Sequence, residues 1–356
     1  MIPKKTILVA PLHWGLGHAT RCIPLINALL VHNYNVIIAS DGGALLLLRK
    51  EFPSLKTIEL PSYHIKYSKK GKNFRINLLL KLPSIQKAIS EEKKCIKELV
   101  NQKLIDGIIS DNRLGVYHKN IPCVFITHQI KVLSGKTTFI SSKIHQKLMN
   151  KFNECWVPDV EGPFSLSGEM GHLKNTPFRI KYIGILSRMN KLNLPKVYDI
   201  LILLSGPEPQ RTLLETQLLK VFKGTEQKIL VVRGVLENKQ TTFDLKNIKI
   251  VNFMTTFELE KAINESSVII ARSGYTTIMD LTKLEKNVFL IPTPGQFEQE
   301  YLAKRLKDLG MVASCKQEKF TINKLDELAL YKGLKEIKSN TNYQELFSLF
   351  EGKRKL

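Results

Sequence analysis

A chain of 356 residues that is 43% hydrophobic and 24% charged has the composition of a soluble globular protein and the length of two domains. Collagen-like, low-complexity and wholly disordered classes are excluded on those figures. Lysine and arginine number 54 against 32 aspartates and glutamates, a formal charge of +22, which suits an anionic partner or reflects a lysine-rich composition. No apolar run approaches the roughly 20 residues that span a bilayer. The five cysteines, Cys22, Cys95, Cys123, Cys155 and Cys315, are scattered without C-x-x-C spacing. That pattern points to a reducing cytoplasm and away from a structural metal.

In chain order, strand-like runs alternate with helix-length segments from end to end, the pattern of parallel α/β architecture. The opening MIPKKTILVAPL lacks a small-residue cleavage site and reads as a first strand, Thr6–Leu12. Further strands are predicted at Asn35–Ser40, Lys56–Leu60, Ile105–Ser110, Cys123–Thr127 and Glu154–Pro158, with the longest helix over 77–102. A polar, basic stretch closed by Pro195 reads as a linker over 185–197. A second series follows at Tyr198–Ser205, Lys228–Arg233, Ile248–Phe253, Ser267–Arg272 and Asn287–Pro292. The expected domains are therefore 1–184 and 198–335, with a helical segment over 336–356 packing back on the first.

The first strand runs into HWGLGHATR, from His13 to Arg21. Gly15 and Gly17 let the backbone approach a ligand there, and amides at the helix start favour a negative group. Arg21 stands where a dinucleotide fingerprint has its third glycine, so a nicotinamide or flavin is not expected, although Asp41 follows the second strand as a ribose candidate. His18 lies at the edge where open α/β sheets bind ligands, and an imidazole suits proton transfer near neutrality. A capping or packing histidine is the competing reading. Asp111 ends one strand, and His128 with Gln129 ends the next. These groups are expected on the same edge, able to orient or deprotonate an acceptor hydroxyl or else to serve as caps.

In the second half, SVIIA leads into Arg272-Ser273-Gly274 and a helix. The amides of Ser273, Gly274 and Tyr275 would then meet a diphosphate at a helix start, with Asp280 two turns on for ribose hydroxyls. Thr293 to Gln296 lead into a helix with Glu298, Gln299 and Glu300, whose neutral and acidic groups suit a polyol.

These stretches resemble a GT-B glycosyltransferase. The resemblance is to the family 28 group that contains the UDP-N-acetylglucosamine transferase of the lipid-linked peptidoglycan precursor, and within it to a branch whose loop reads G-x-G-H-x-x-R. It covers His13 to Arg21 and almost continuously Val251 to Gly310. The resemblance implies two Rossmann-like parallel-sheet domains facing a central cleft. It also implies that Phe253 and Met254 present backbone groups to uracil, Ser273 and Gly274 amides to the diphosphate, Asp280 a ribose contact, and Gln299 with Glu300 the donor-sugar contacts. His18 would be the active-site histidine beside the acceptor. Relatives open their second domain with a glycine-rich loop, whereas this chain has LLSGPEPQR, where Ser205, Gly206 and Arg211 would have to supply the phosphate contacts.

The expected function is an inverting, metal-independent transfer of a hexose or N-acetylhexosamine from a UDP-sugar to a hydroxyl acceptor, on a lipid-linked or cell-surface glycan. The UDP-sugar is a co-substrate and no cofactor is expected. His18 is the expected base, with Asp111 as its rival. No D-x-D pair is present to hold a metal. The run KYSKKGKNFR, Lys66 to Arg75, followed by INLLLKLP, suggests a peripheral contact with an anionic membrane on its cytoplasmic face. Two other readings stay open: a nucleotide-sugar epimerase on the same fold, kept by Glu298 and Glu300, and a polyanion-binding protein, kept by the charge. Specific nucleic-acid binding is not expected, since aromatic and basic residues are not interleaved.

Overall fold

The computed structural model describes residues 4–63 and 82–352, except 174, 207, 236, 336 and 338–340. The basic run from Lys66 to Arg75 lies outside the described residues, as do the first residues of the helix predicted over 77–102.

The chain divides into two compact units, each built on a seven-stranded sheet. In the first, β1 (Thr6–Pro11), β2 (Asn35–Ser40), β3 (Lys56–Glu59), β4 (Gly107–Asp111), β5 (Cys123–Ile126), β6 (Glu154–Val157) and β7 (Ile180–Tyr182) are all parallel, in the order β3-β2-β1-β4-β5-β6-β7. The crossovers carry α1 (Gly17–Val31), α2 (Gly42–Glu51), α3 (Leu82–Asn101) and α4 (Thr138–Met149). Helices on both faces explain why TILVAP, NVIIAS, GIISD and CVFI are nearly unbroken buried runs rather than alternating ones. Strand order reverses between β1 and β4, where Pro11 lies opposite Asp111. Two crossovers leave that point in opposite directions, which opens a crevice at the carboxyl ends of the strands.

The second unit repeats the plan with β8 (Tyr198–Leu203), β9 (Ile229–Val232), β10 (Thr242–Leu245), β11 (Ile248–Val251), β12 (Ser266–Ala271), β13 (Asn287–Leu290) and β14 (Ala313–Ser314). Their order is β10-β11-β9-β8-β12-β13-β14, parallel except for β10, and the reversal falls between β8 and β12. Its helices are α5 (Gln210–Val221), α6 (Thr256–Asn264), α7 (Tyr275–Lys283) and α8 (Phe297–Asp308). The last helix, α9 (Tyr343–Glu351), belongs to the first unit, where Phe347 and Phe350 are buried against Tyr34 and Trp156.

Three strands escape the sequence reading. Every residue of β10 is exposed, β7 is three half-buried residues at a sheet edge, and β14 is two residues long. None carries the apolar run that marks the inner strands. The stretch read as a linker is largely a strap on the second unit. The amide of Asn190 donates to Glu260 at 2.5 Å, that of Leu192 to the side chain of Asn264 at 3.1 Å, and Lys196 to the Asn264 carbonyl at 2.7 Å.

Candidate active site

At the first reversal, Gly15 takes φ +80° and turns the chain from β1 into α1. His18 and Arg21 then stand three residues apart on one face of α1, toward the end of β4. His18 Nδ1 is 2.8 Å from Asp111 Oδ1. Arg21 grips the same carboxylate with two nitrogens: Nε donates to Oδ2 at 2.5 Å and Nη2 donates to Oδ1. The remaining arm of Arg21 reaches β5's end, with Nη1 2.9 Å from His128 Nδ1. The Cys22 thiol completes the cluster, donating to Asp111 Oδ2 at 3.7 Å.

Burial alone would raise the pKa of Asp111, which has no exposed surface, but the charge of Arg21 and then of His18 outweighs it and holds the carboxyl well below the usual carboxylate range. Asp111 is therefore an anion that only accepts hydrogen bonds, buried beneath His18. This corrects its reading as a rival base: it positions the imidazole. His18 Nδ1 lies 2.9 Å from Arg21 Nη2 as well as 2.8 Å from Asp111 Oδ1. In the tautomer whose Nδ1–H donates to the buried carboxylate, the lone pair is on Nε2. A guanidinium has only donors, so Nδ1 of His128 accepts from Arg21 and its proton is on Nε2. His128 thus presents a donor and His18 an acceptor. Behind them, burial and then the neighbouring His128 push the pKa of His145 down to about 4, so its ring stays neutral. Gln129 is half-buried, with its amide donating to Thr127 Oγ1 at 3.1 Å.

A second cluster at this edge had no sequence signal beyond Asp41. His13 Nδ1 is 3.3 Å from Asp41 Oδ2, and Arg113 donates to Asp41 Oδ1. Arg113 is itself fully buried, donating to the Pro11 carbonyl at 3.0 Å and to Glu92 at 2.6 Å. Glu92, buried on α3, also accepts from Tyr63 at 2.7 Å. Burial raises the pKa of Glu92 against the pull of Arg113, whereas at Asp41 the hydrogen bond from His13 and the charge of Arg113 overcome burial and lower it. Asp41 is thus tied to protein partners rather than placed to bind a ribose. Glu92 lies inside a helix, and Arg113, two residues after the strand end at Asp111, turns back to Asp41 seventy-two positions away, which no sequence pattern marks.

In the second unit, Ser205 and Gly206 follow β8, and Arg272, Ser273 and Gly274 follow β12, on the two sides of the reversal. Gly274 is the N-cap of α7 and no side chain caps that helix. A Cβ on Gly274 would meet only Thr277 Oγ1, at 3.9 Å, so the approach to the helix start is open on that side. The structure places a helix start at this switch point, as the sequence reading requires for a diphosphate.

Several side chains assigned to the donor do other work. The buried Arg272 guanidinium donates to the carbonyls of Ile291, Pro292 and Gln210 and to the Gln317 side chain, tying three strand-end loops together rather than facing a ligand. Asp280 accepts from the Ser187 hydroxyl at 2.6 Å and from the Arg188 backbone, anchoring the strap, which corrects its reading as a ribose contact. Burial raises its pKa to about 6 against the opposing charge of Arg188. Gln299 is buried and spends its side-chain oxygen on the Thr293 amide at 2.8 Å, and the Ser273 hydroxyl donates to the Gln299 carbonyl at 2.8 Å. Glu300 accepts from the Gly295 amide at 2.9 Å. The Phe253 amide donates to Asn252 and its carbonyl accepts from Gln240, so both backbone groups meant for uracil are engaged, while Met254 is half-buried beside it. Arg211 pairs with Glu208 and donates to the Gly234 carbonyl at 3.3 Å. Gln296 is the half-buried N-cap of α8.

Residues 202–350 match the glycosyltransferase family 28 C-terminal domain. No curated protein sequence matches the chain. Among solved structures, the glycotransferase of kitacinnamycin is 14% identical with a TM-score of 0.62, the alignment covering 99% of this chain and 95% of that one. MurG of Acinetobacter baumannii is 16% identical with a TM-score of 0.53, covering 98% and 99%. A UDP-glucosyltransferase from Polygonum tinctorium capable of glucosylating indoxyl is 13% identical with a TM-score of 0.61, covering 99% and 100%. At such identities the likeness carries the fold, GT-B with two Rossmann-like domains.

Proposed function

We propose that the chain, which matches the glycosyltransferase family 28 C-terminal domain over 202–350 and has a GT-B fold, is a glycosyltransferase that moves a hexose or N-acetylhexosamine from a UDP-sugar to a hydroxyl acceptor, with inversion and without a metal ion. The observation that carries this reading is the His18–Asp111 pair at the first switch point. An imidazole whose Nδ1–H is held by a buried anion offers Nε2 as a base, and Asp111 stabilises the imidazolium that forms. The acceptor oxygen attacks the anomeric carbon and gives its proton to Nε2. The bond from sugar to diphosphate breaks with its electron pair on the phosphate oxygen, and within the second unit the uncapped start of α7 is the group suited to hold a diphosphate. Uridine is favoured because a protein of the same fold is a UDP-glucosyltransferase.

Two features support a peripheral contact with anionic lipid, in a reducing cytoplasm consistent with free cysteines throughout. One is the basic sequence from Lys66 to Arg75. The other is α4 and its approach, where Phe139, Ile140 and Ile144 are exposed beside Lys136, Lys143 and Lys147. Among the described residues no helix is long and apolar enough to cross a membrane. Sedimentation with anionic but not neutral vesicles is the expected result.

The transferase reading is tested by thermal unfolding with UDP and a panel of UDP-sugars, since a ligand of the folded state raises its stability by mass action. Protection by UDP, turnover that persists in EDTA, and a loss of about 10²- to 10⁴-fold in His18→Ala with UDP protection intact are expected. Absence of protection by any nucleotide sugar counts against it.

A further inference from the structure

The first unit contains the His–Asp–Arg arrangement twice at one sheet edge. His18 leans from the β1 turn toward the end of β4, onto Asp111, which Arg21 grips. His13 leans the other way, toward the end of β2, onto Asp41, which Arg113 grips. In each, a buried guanidinium fixes the carboxylate and the carboxylate fixes Nδ1 of the imidazole.

The second arrangement is more than Asp41 needs. Arg113 and Ser62 already serve that carboxylate, and the His13 side chain keeps 33% of its surface exposed, against 14% for His18. The local fold also yields to this ring. Asp41 is the N-cap residue of α2, a place where the carboxylate ordinarily accepts from the first helical amides, yet it caps nothing and is turned toward His13 and Arg113. Gly42 takes φ +51°, and a Cβ there would sit 2.3 Å from Cε1 and Nδ1 of His13. Gly43 lies against the ring's other nitrogen, where a Cβ would be 3.4 Å from Nε2. Trp14, the next residue in the chain after His13, is exposed at 37%.

We propose that His13 is an acceptor-binding residue, taking one hydroxyl of the acceptor while His18 takes another, so that the acceptor carries at least two hydroxyls, as a sugar ring does. This rests on the transferase reading, with His18 as base. With each Nδ1–H donating to its carboxylate, both Nε2 atoms accept, and a diol supplies the two O–H donors that match them. The Trp14 indole suits the C–H face of a sugar ring, which is apolar beside its hydroxyls.

The test uses the full-length protein with UDP bound and its histidines labelled with carbon-13 at Cε1, the His13 and His18 resonances being assigned from His13→Gln and His18→Gln. Methyl glycosides of glucose, galactose and N-acetylglucosamine are titrated against cyclohexanol, which carries one hydroxyl. The expected result is that at least one glycoside moves both resonances along a single saturation curve. In His13→Gln, at least tenfold more of that glycoside is then needed to move His18, while the cyclohexanol curve stays where it was. A fold disturbed by the substitution would weaken both titrations alike, and that result overturns the proposal. So does a protein stabilised by UDP in which no glycoside moves His13. Loss of UDP stabilisation in the unmodified protein is the separate failure of the transferase reading.

Discussion

Asp111 carries a negative charge with no exposed surface, tolerable only because Arg21 and His18 adjoin it. Asp111→Asn leaves the Arg21 cation buried without its counter-ion, so stability should fall by roughly 3 to 5 kcal/mol in chemical denaturation. Turnover should fall with it, because an amide can hold either tautomer of His18. The folded pKa of Asp111 is depressed, so its stabilisation is fully present above the ordinary carboxylate pKa and is lost as pH drops below that toward the folded value. Asp280 has the opposite sign. Its folded pKa, about 6, is above the unfolded one, so its contribution is complete below about pH 4 and is lost as pH rises through 6. A denaturant midpoint that declines between those pH values, and a flatter decline in Asp280→Asn, are expected; parallel profiles would assign the decline to other groups. His18, Asp111 and His128 were legible in the sequence because each follows or ends a strand. Arg21 was visible only as an arginine in a glycine's place, and no sequence pattern says that a helix residue will grip a carboxylate ninety positions away.

The element most exposed to a single change is α9. It buries Leu346, Phe347 and Phe350, and Lys5 on the amino-terminal side donates to the Phe350 carbonyl at 2.6 Å. Gly107 opens β4 without a side chain, and a Cβ there would lie 2.5 Å from Phe350. The glycine thus makes room for the ring that docks the helix. Phe350→Ala should cost about 3 to 5 kcal/mol and speed hydrogen exchange in α9 well before exchange in β1. Equal protection of α9 in the variant and the parent would show that the helix does not depend on that ring. Inner strands such as β1, β2, β5 and β12 were readable because burial on both faces demands unbroken apolar runs. The edge strand β10 was not, since its pairing with β11 is made by the backbone while its side chains stay in water. Nor was the strap: its contacts with Glu260 and Asn264 are hydrogen bonds from the backbone amides of Asn190 and Leu192, and composition alone cannot separate those from a solvated linker.

Across the whole molecule, the two sheets share one design: strand order reverses at β1/β4 and again at β8/β12, and at each reversal a glycine-bearing turn opens a helix. That repetition is what the alternating sequence pattern announced. Among the described residues, the buried arginines at the two switch points are matched by carboxylates or carbonyls, so they leave little free positive charge there. The cysteines share a further property. Burial raises the thiol pKa of all five, to about 12 at Cys123 and Cys155 and to about 11 at Cys315, and at Cys22 the adjacent Asp111 adds to it. Thiolates are the reactive form, so native protein at pH 8 should consume an alkylating reagent slowly and yield five equivalents only on unfolding. Rapid modification of one cysteine in the native state would contradict this. Because the Cys22 thiol rests on Asp111, its alkylation measures how often the His18–Asp111–Arg21 cluster comes apart, and the rate of its capture serves as a clock for that opening.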